Sequence, residues 1–489
     1  MSEFYTSTDH FVLLPALLLA LFGCATLLFD FWVFPQAKQR KWLLLFLVMG
    51  EVFAGIAYWR QQAFLNTHGG ALTAFNGTLT VDQFALYFHW IFLITTLLTG
   101  LISYRYFEAK KEHHGEYYGL ILLAQAGMYF LASGTDLVTI FVGLETMAVT
   151  FYVLVGFLRA DPRSNEAALK YLLLGGFSSG FLAYGFSLLY GISGSTKLAE
   201  ITLAVANRDP YDPMLYLALV TVTVGVLFKI AAVPFHMWAP DAYEGAPTVV
   251  TTFLAVGSKA ASFALLLRLF LGPLESAREA WEPLLIAAAI LSMTIGNLAA
   301  VTQTNTKRLL AYSSINHAGY MLLGVIAGNN TGIQGVLVYM LVYVFMTVGA
   351  FLVLVTLNRD ETGGEDIDDL RGLMKKSPGH AVWMLIFLLS LAGIPPTAGF
   401  IGKYFIFLSL IESGRYVLAV IATVYVAVAI YYYLRLVKSM FVEDAETEQP
   451  ALATSFGTRV ALIVSGIATL VIGMYPEPFV RFAQQSFLR

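Results

Sequence analysis

"VLFKIAAVPFHMW", residues 226–238, closes an apolar run of about twenty residues that reads as a membrane span. Inside it stand Lys229, Pro234 and His236. A lysine at the bilayer centre costs roughly 2.5–3.5 kcal/mol. Proline removes a backbone N–H and crowds the carbonyl four residues before it. Lipid satisfies neither group, so this stretch must be enclosed by protein or line a wet cavity.

The rest of the chain has the same character. Of 489 residues, 58% are hydrophobic and 12% charged, against about 25% charged in soluble domains. Fourteen apolar runs are long enough to cross a bilayer, near 11–31, 42–59, 82–104, 117–134, 137–158, 167–191, 214–238, 247–270, 282–303, 309–328, 333–357, 381–411, 416–437 and 459–477. They are numbered here as spans 1 to 14. The acidic start, MSEFYTSTDH, lacks the basic stretch of a cleaved signal peptide. With the first residue outside, 17 Lys and Arg fall on inward connections and 8 on outward ones. The inward set includes Lys38, Arg40, Lys111, Lys307 and Arg359, and the outward set Arg268 and Arg489. That bias favours both termini outside, in the periplasm if the host is a Gram-negative bacterium. A single cysteine, Cys24, excludes an internal disulfide and a four-cysteine iron–sulfur cluster. No phosphate-binding glycine loop is present, and a net charge of −3 without a basic tail excludes nucleic acid as a partner.

Four basic residues remain within spans: Lys170, Lys229, Lys259 and Lys403. Together they would cost on the order of 10–14 kcal/mol in lipid, so an ion or proton pathway is the default reading. Lys229, Lys259 and Lys403 lie too deep to reach the interface easily, and each is either a titrating group or one half of a structural ion pair. Lys170 lies one turn inside span 6 and is able to extend to the interface. Glu145, in "FVGLETMAVTFYVLVG", is the leading acid, and a nearby lysine would keep it charged. His236 and His317 are relay candidates because histidine titrates near neutral pH, though packing roles are as common. Glu51 in span 2 reads as a residue facing a neighbouring protein rather than a carrier. His89 and Asp82 are not assigned.

Pro234 would free the carbonyl of Ile230, and Pro395 and Pro396 those of Leu391 and Ala392. Span 12 covers 31 residues, more than a straight crossing needs, so a helix–loop–helix at "AGIPPTAGF" is expected. "AAVP" (231–234) and "AGIP" (392–395) fall five spans apart. If spans 4–8 and 9–13 are copies, an odd number of crossings inverts the second, and paired broken helices then mark the ion site. The expected fold is thus an all-α polytopic membrane protein of 14 transmembrane helices, with two inverted five-helix repeats and interrupted helices 7 and 12. Its parts are 1–116 (spans 1–3), 117–270 (first repeat), 271–440 (second repeat) and 441–489 (span 14). Water entering at the proline break would let the lysine titrate, and a changing Glu145–Lys229 distance would change its proton affinity.

"EAALKYLLLGGFSSGFLAYGFSLLYGISGSTKL", "FKIAAVPFHMWAPDAYEGAPT" and "FLLSLAGIPPTAGFIGKYFIF" resemble the antiporter-like membrane subunits of respiratory complex I, over about residues 80–440. Among these the chain looks like the N type of NADH–quinone oxidoreductase. The M-type sibling carries an acid where this chain has Lys403, and the L type has a long extension after span 14. The resemblance implies one proton channel. In it Glu145 matches the span-5 glutamate, Lys170 and Lys229 the lysines of spans 6 and 7, Lys259 the central lysine, and Lys403 the exit lysine. It implies no cofactor or metal in this chain. FMN, iron–sulfur clusters and quinone are expected in partner subunits. The implied partners are the M-type sibling, small membrane subunits on the other side, and lipid. One alternative is a subunit of a multi-subunit sodium/proton antiporter. Another is a scaffold that only anchors its neighbours.

Overall fold

Asp82, Asp136, Asp161, Asp212 and Asn305 each begin a helix, and each side chain accepts from one or two of the first free N–H groups. These caps mark where the chain enters the bundle, since lipid offers the exposed donors no partner. The computed structural model describes residues 5–33, 41–110, 115–357, 364–444 and 455–487. Lys38, Arg40, Lys111, Arg359 and Arg489, used above for orientation, lie outside the described residues.

The molecule is almost entirely helical, and eleven of its described helices are long and apolar enough to cross a membrane. They correspond to spans 1 (Ser7–Trp32), 2 (Lys41–His68), 3 (Gln83–Ala109), 5 (Leu137–Val155), 6 (Pro162–Ser193), 8 (Thr248–Phe270), 9 (Arg278–Thr302), 10 (Thr306–Ala327), 11 (Asn330–Leu357), 13 (Tyr416–Phe441) and 14 (Phe456–Met474). The other three expected spans differ for physical reasons. Span 4 is a helix, Glu116–Ser133, whose Glu116, Tyr117, Tyr118 and Gln125 lower its apolar character. Spans 7 and 12 are split into pieces. Span 7 is Pro213–Lys229 and then, after a turn, Trp238–Gly245. Span 12 is Pro378–Ala392 and then Ala398–Glu412.

One feature departs from the expected all-helical pattern, and two short helices add to it. Residues 69–81 form a small antiparallel hairpin, Leu72–Ala74 against Leu79–Val81. Its tip uses positive φ at Phe75, Asn76 and Gly77. Short helices, Leu198–Ala206 and Glu477–Gln485, also follow spans 6 and 14.

Spans 8, 10 and 11 form the centre and are buried over nearly all of their apolar length. Spans 5 and 6 are peripheral: Val138, Val142, Val149 and Val153 of span 5 and Leu172, Phe177 and Phe181 of span 6 face outward. A large apolar outer face is what a lipid or a membrane-embedded neighbour covers.

Candidate proton pathway

The first half of span 7 ends at Lys229 because the chain turns out of the helix immediately after it. Ala231 adopts φ +58°, a left-handed conformation that costs a non-glycine residue of order 1–3 kcal/mol. The turn is stitched to protein, not left to lipid. The Ala232 N–H donates to the Leu227 carbonyl (2.8 Å), the Val233 N–H to Ser292 Oγ of span 9 (2.9 Å), and Trp238 Nε1 to the Phe228 carbonyl (2.9 Å). The helix therefore stops before the Ile230 carbonyl that Pro234 was expected to free. His236 lies half-buried in this turn, and its buried Nδ1 makes no well-formed hydrogen bond among the described residues.

Lys229 is 4% exposed. Its Nζ donates to Ser179 Oγ of span 6 at 3.5 Å, and Ser179 Oγ donates to Glu145 Oε1 of span 5 at 2.5 Å. No direct Glu145–Lys229 ion pair is among those of the described residues; a serine stands between acid and base. Glu145 itself is half-buried, at the edge of the outward stripe of span 5.

Span 8 carries a π-helical turn, Leu254–Ser258, immediately before Lys259. Such turns are frequent at functional sites. Lys259, 3% exposed, donates to the Ser314 carbonyl of span 10 at 2.6 Å and to its hydroxyl. Tyr343 of span 11 donates to the same hydroxyl at 2.8 Å, and the lysine amine lies 5.6 Å from the Tyr343 ring centre.

One turn along span 10, His317 is fully buried between two tyrosines. Nδ1 meets Tyr339 OH at 2.6 Å and Nε2 meets Tyr433 OH at 3.1 Å. It stands within electrostatic reach of both Lys259 and Lys403.

Lys403, also 3% exposed, lies on the second half of span 12 and reaches back across the break. It donates to the carbonyls of Leu391 (3.1 Å) and Ala392 (2.8 Å), the two that the proline pair was expected to free. The break is tight. Gly393 has φ +85°, and a Cβ on Gly399 would lie 1.8 Å from the Ser390 carbonyl oxygen. Lys403 Nζ also lies 5.1 Å from the ring centre of Tyr320.

Lys170 is different. Its side chain is 46% exposed and pairs with Glu166 (2.8 Å) and Asp241 (3.0 Å). It lines a charged cavity of about 480 Å³ with Glu166, Asp241, Glu244 and Arg308, away from the buried lysines. Arg308 pairs with Asp241 and with Glu244, each at 2.8 Å.

One expectation needs correction, and two cations counted on connections prove to be buried. Glu51 does not face a neighbour: it is 1% exposed and accepts from Gln125 at 3.1 Å. Lys307, counted on an inward connection, is buried and donates to the Glu244 and Ala246 carbonyls and to Glu365. Arg268, counted outward, is also buried and pairs with Asp82 at 3.0 Å. In each case a polar partner on a sequence-distant element makes burial tolerable, and a single apolar window does not reveal it. Ser179, Ser314, Tyr339 and Tyr433 were not anticipated either. A serine or tyrosine in an apolar run carries no sign of the charge it will meet.

A helical membrane bundle with two broken helices and buried lysines held by hydroxyls and carbonyls has the build of an antiporter-type membrane subunit. Residues 134–449 match the family described as NADH:quinone oxidoreductase/Mrp antiporter, TM. The chain is 64% identical over 489 residues to NADH-quinone oxidoreductase subunit N 2 of Solibacter usitatus (strain Ellin6076), covering 100% of this chain and 99% of that one. Accordingly, it belongs to the NADH-quinone oxidoreductase subunit N family. A chain of respiratory complex I from Thermus thermophilus with bound aureothin superposes with a TM-score of 0.79 at 35% identity, covering 96% of this chain and 99% of that one. A chain of the Mrp complex from Dietzia sp. DQ12-45-1b reaches 0.83 at 19% identity, covering 99% and 97%, a likeness of fold alone.

Proposed function

We propose that protons cross this subunit along Glu145, Lys229, Lys259, His317 and Lys403, with Lys170 and His236 at the margins of the route. The chain is a proton-translocating membrane-arm subunit of the NADH:quinone oxidoreductase complex and has no redox centre of its own. Moving one charge against 100 mV takes about 2.3 kcal/mol, and the partner subunits that carry the cofactors supply it. FMN, iron–sulfur clusters and quinone belong there.

One observation carries the reading. Lys229, Lys259 and Lys403 are all at least nine-tenths buried, and among the described residues none is paired directly with a carboxylate. A scaffold lysine this deep would need a fixed counter-charge. These amines instead meet hydroxyls and backbone carbonyls, which accept from the ammonium form and tolerate the neutral amine.

The finer architecture belongs to the same proposal. Spans 4–8 (117–270) and 9–13 (271–440) are inverted repeats within fourteen crossings, flanked by 1–116 and 441–489, with both termini on the outer side of a bacterial inner membrane. The paired breaks support this. Lys229 precedes its proline and Lys403 follows, yet the two are chemically alike. Lys229 is the last residue of its first half-helix, and Lys403 binds the last two carbonyls of its own. Both cations belong to the negative end of a half-helix. Half-exposed Glu145 faces one membrane neighbour; the M-type sibling and small membrane subunits adjoin the chain on its two sides.

The test uses the intact complex in proteoliposomes. Lys403→Met and Lys229→Met should each abolish or strongly lower proton pumping while flavin and iron–sulfur absorbance still co-purify. Normal pumping stoichiometry in both variants would overturn the route in favour of a scaffold. Absence of those absorbances from the wild-type preparation would point to ion exchange alone.

A further inference from the structure

Glu51 lies in a polar cluster of spans 1–4 that the lysine route does not use. Gln125 of span 4 donates to Glu51 Oε2 at 3.1 Å, while Glu51 Oε1 and Gln125 Oε1 make no well-formed hydrogen bond among the described residues. Two turns further along span 2, Tyr58 is fully buried, its hydroxyl on the Gln125 side without a well-formed hydrogen bond among the described residues. Its ring stacks on His89 of span 3, with centroids 5.1 Å apart, and His89 stacks on Tyr129 of span 4 at 4.3 Å. His89 Nε2 meets Ser133 Oγ at 3.0 Å, and its Nδ1, on the side of the Tyr129 backbone, makes no well-formed hydrogen bond among the described residues. Beyond His89, Arg268 of span 8 pairs with both Asp82 oxygens, at 3.0 and 3.1 Å, at the hairpin end of the bundle. The Asp82 side chain is 23% exposed there.

Buried polar atoms are nearly always satisfied, by protein or by ordered water. Glu51 Oε1, Gln125 Oε1, Tyr58 OH and His89 Nδ1 make no well-formed hydrogen bond among the described residues and fall in a single polar cluster, the setting in which water is retained. The titratable groups facing Glu51 are few. Span 2 presents Tyr58, span 3 His89 and span 4 Tyr129, with Arg268 of span 8 beyond them. Span 1 brings none: Asp9 is bonded to Thr6 and Phe75 at one end, and Asp30 to Gly115 at the other.

We propose that Glu51 is a proton-exchanging carboxyl at the blind end of a water-filled branch that runs past Gln125, Tyr58 and His89 to the Arg268–Asp82 pair. The carboxylate takes a proton from a protonated water, one O–H bond breaking on that water as one forms on the carboxyl, and returns it to water by the same path. No other bond changes. With the orientation proposed above, the branch opens to the outer side, giving the subunit a proton store separate from the lysines.

Infrared difference spectroscopy on the purified complex during H₂O/D₂O exchange tests this. The expected result is a protonated-carboxyl band that shifts in D₂O, disappears in Glu51→Gln and persists in Glu145→Gln. His89→Phe should slow its exchange severalfold. If Glu51→Gln fails to assemble, Glu51→Asp should move the band instead. A band set unchanged by every Glu51 substitution, or a Glu51 band that never exchanges, overturns the proposal. The measurement does not read pumping, so its failure leaves the lysine route standing, and the reverse.

Discussion

The serine between Glu145 and Lys229 separates two effects that a direct ion pair would merge. With Lys229 Nζ 3.5 Å and Glu145 Oε1 2.5 Å from Ser179 Oγ, the two charges are at most about 6 Å apart. At an effective dielectric of about 20 and a separation of about 4–6 Å, their attraction is about 3–4 kcal/mol. Glu145 is only half-buried, so the lower figure applies. Glu145→Gln removes that attraction, which shifts the balance between the charged and neutral amine about 100-fold. Ser179→Ala keeps both charges and removes only the bridge; a hydrogen bond to a charged group is worth about 1.5–3 kcal/mol. In proteoliposomes, Glu145→Gln should lose most proton pumping per NADH oxidised. Ser179→Ala should keep the stoichiometry but turn over about tenfold more slowly, the effect of about 1.4 kcal/mol on a barrier. Normal stoichiometry and rate in Glu145→Gln would refute the coupling.

Two further outcomes follow from the geometry. Gly399→Ala puts a methyl 1.8 Å from the Ser390 carbonyl oxygen, so the half-helices of span 12 must separate. The cost should be at least the 1–3 kcal/mol typical of overpacking, read as a lower melting temperature of the solubilised complex and a lower yield of assembled complex. Asp241 pairs with both Lys170 (3.0 Å) and Arg308 (2.8 Å) across the charged cavity, so Asp241→Asn should lower the melting temperature of the solubilised complex at neutral pH. A variant that melts with wild type would count against the ion network.

Much of this was readable from the chain. Proline within long apolar runs predicted both helix breaks, and the depth of Lys229, Lys259 and Lys403 predicted burial. The freed carbonyls of Leu391 and Ala392 were predicted residue by residue and are the ones Lys403 binds. What escaped was whatever depends on a partner far away in sequence. Ser179 and Ser314 look like ordinary helix hydroxyls. Tyr339 and Tyr433 look like packing aromatics until His317 is set between them. Lys307 reads as a loop cation because its three acceptors lie about sixty residues away. The π-helical turn before Lys259 has no composition signature, being one extra residue absorbed in an otherwise regular helix.

On the route proposed above, the backbone anchorage of Lys403 bears on how the subunit would reset after each cycle. Carbonyl dipoles are neutral partners, so an amine that gives up its hydrogen ion leaves no stranded anion behind and need not be pulled from one. A carboxylate in their place would trap the cation and stall the return stroke. The proline-broken helix thus supplies a grip whose strength is limited by design of the peptide bond itself, firm enough to hold the amine in place and weak enough to let the charge go.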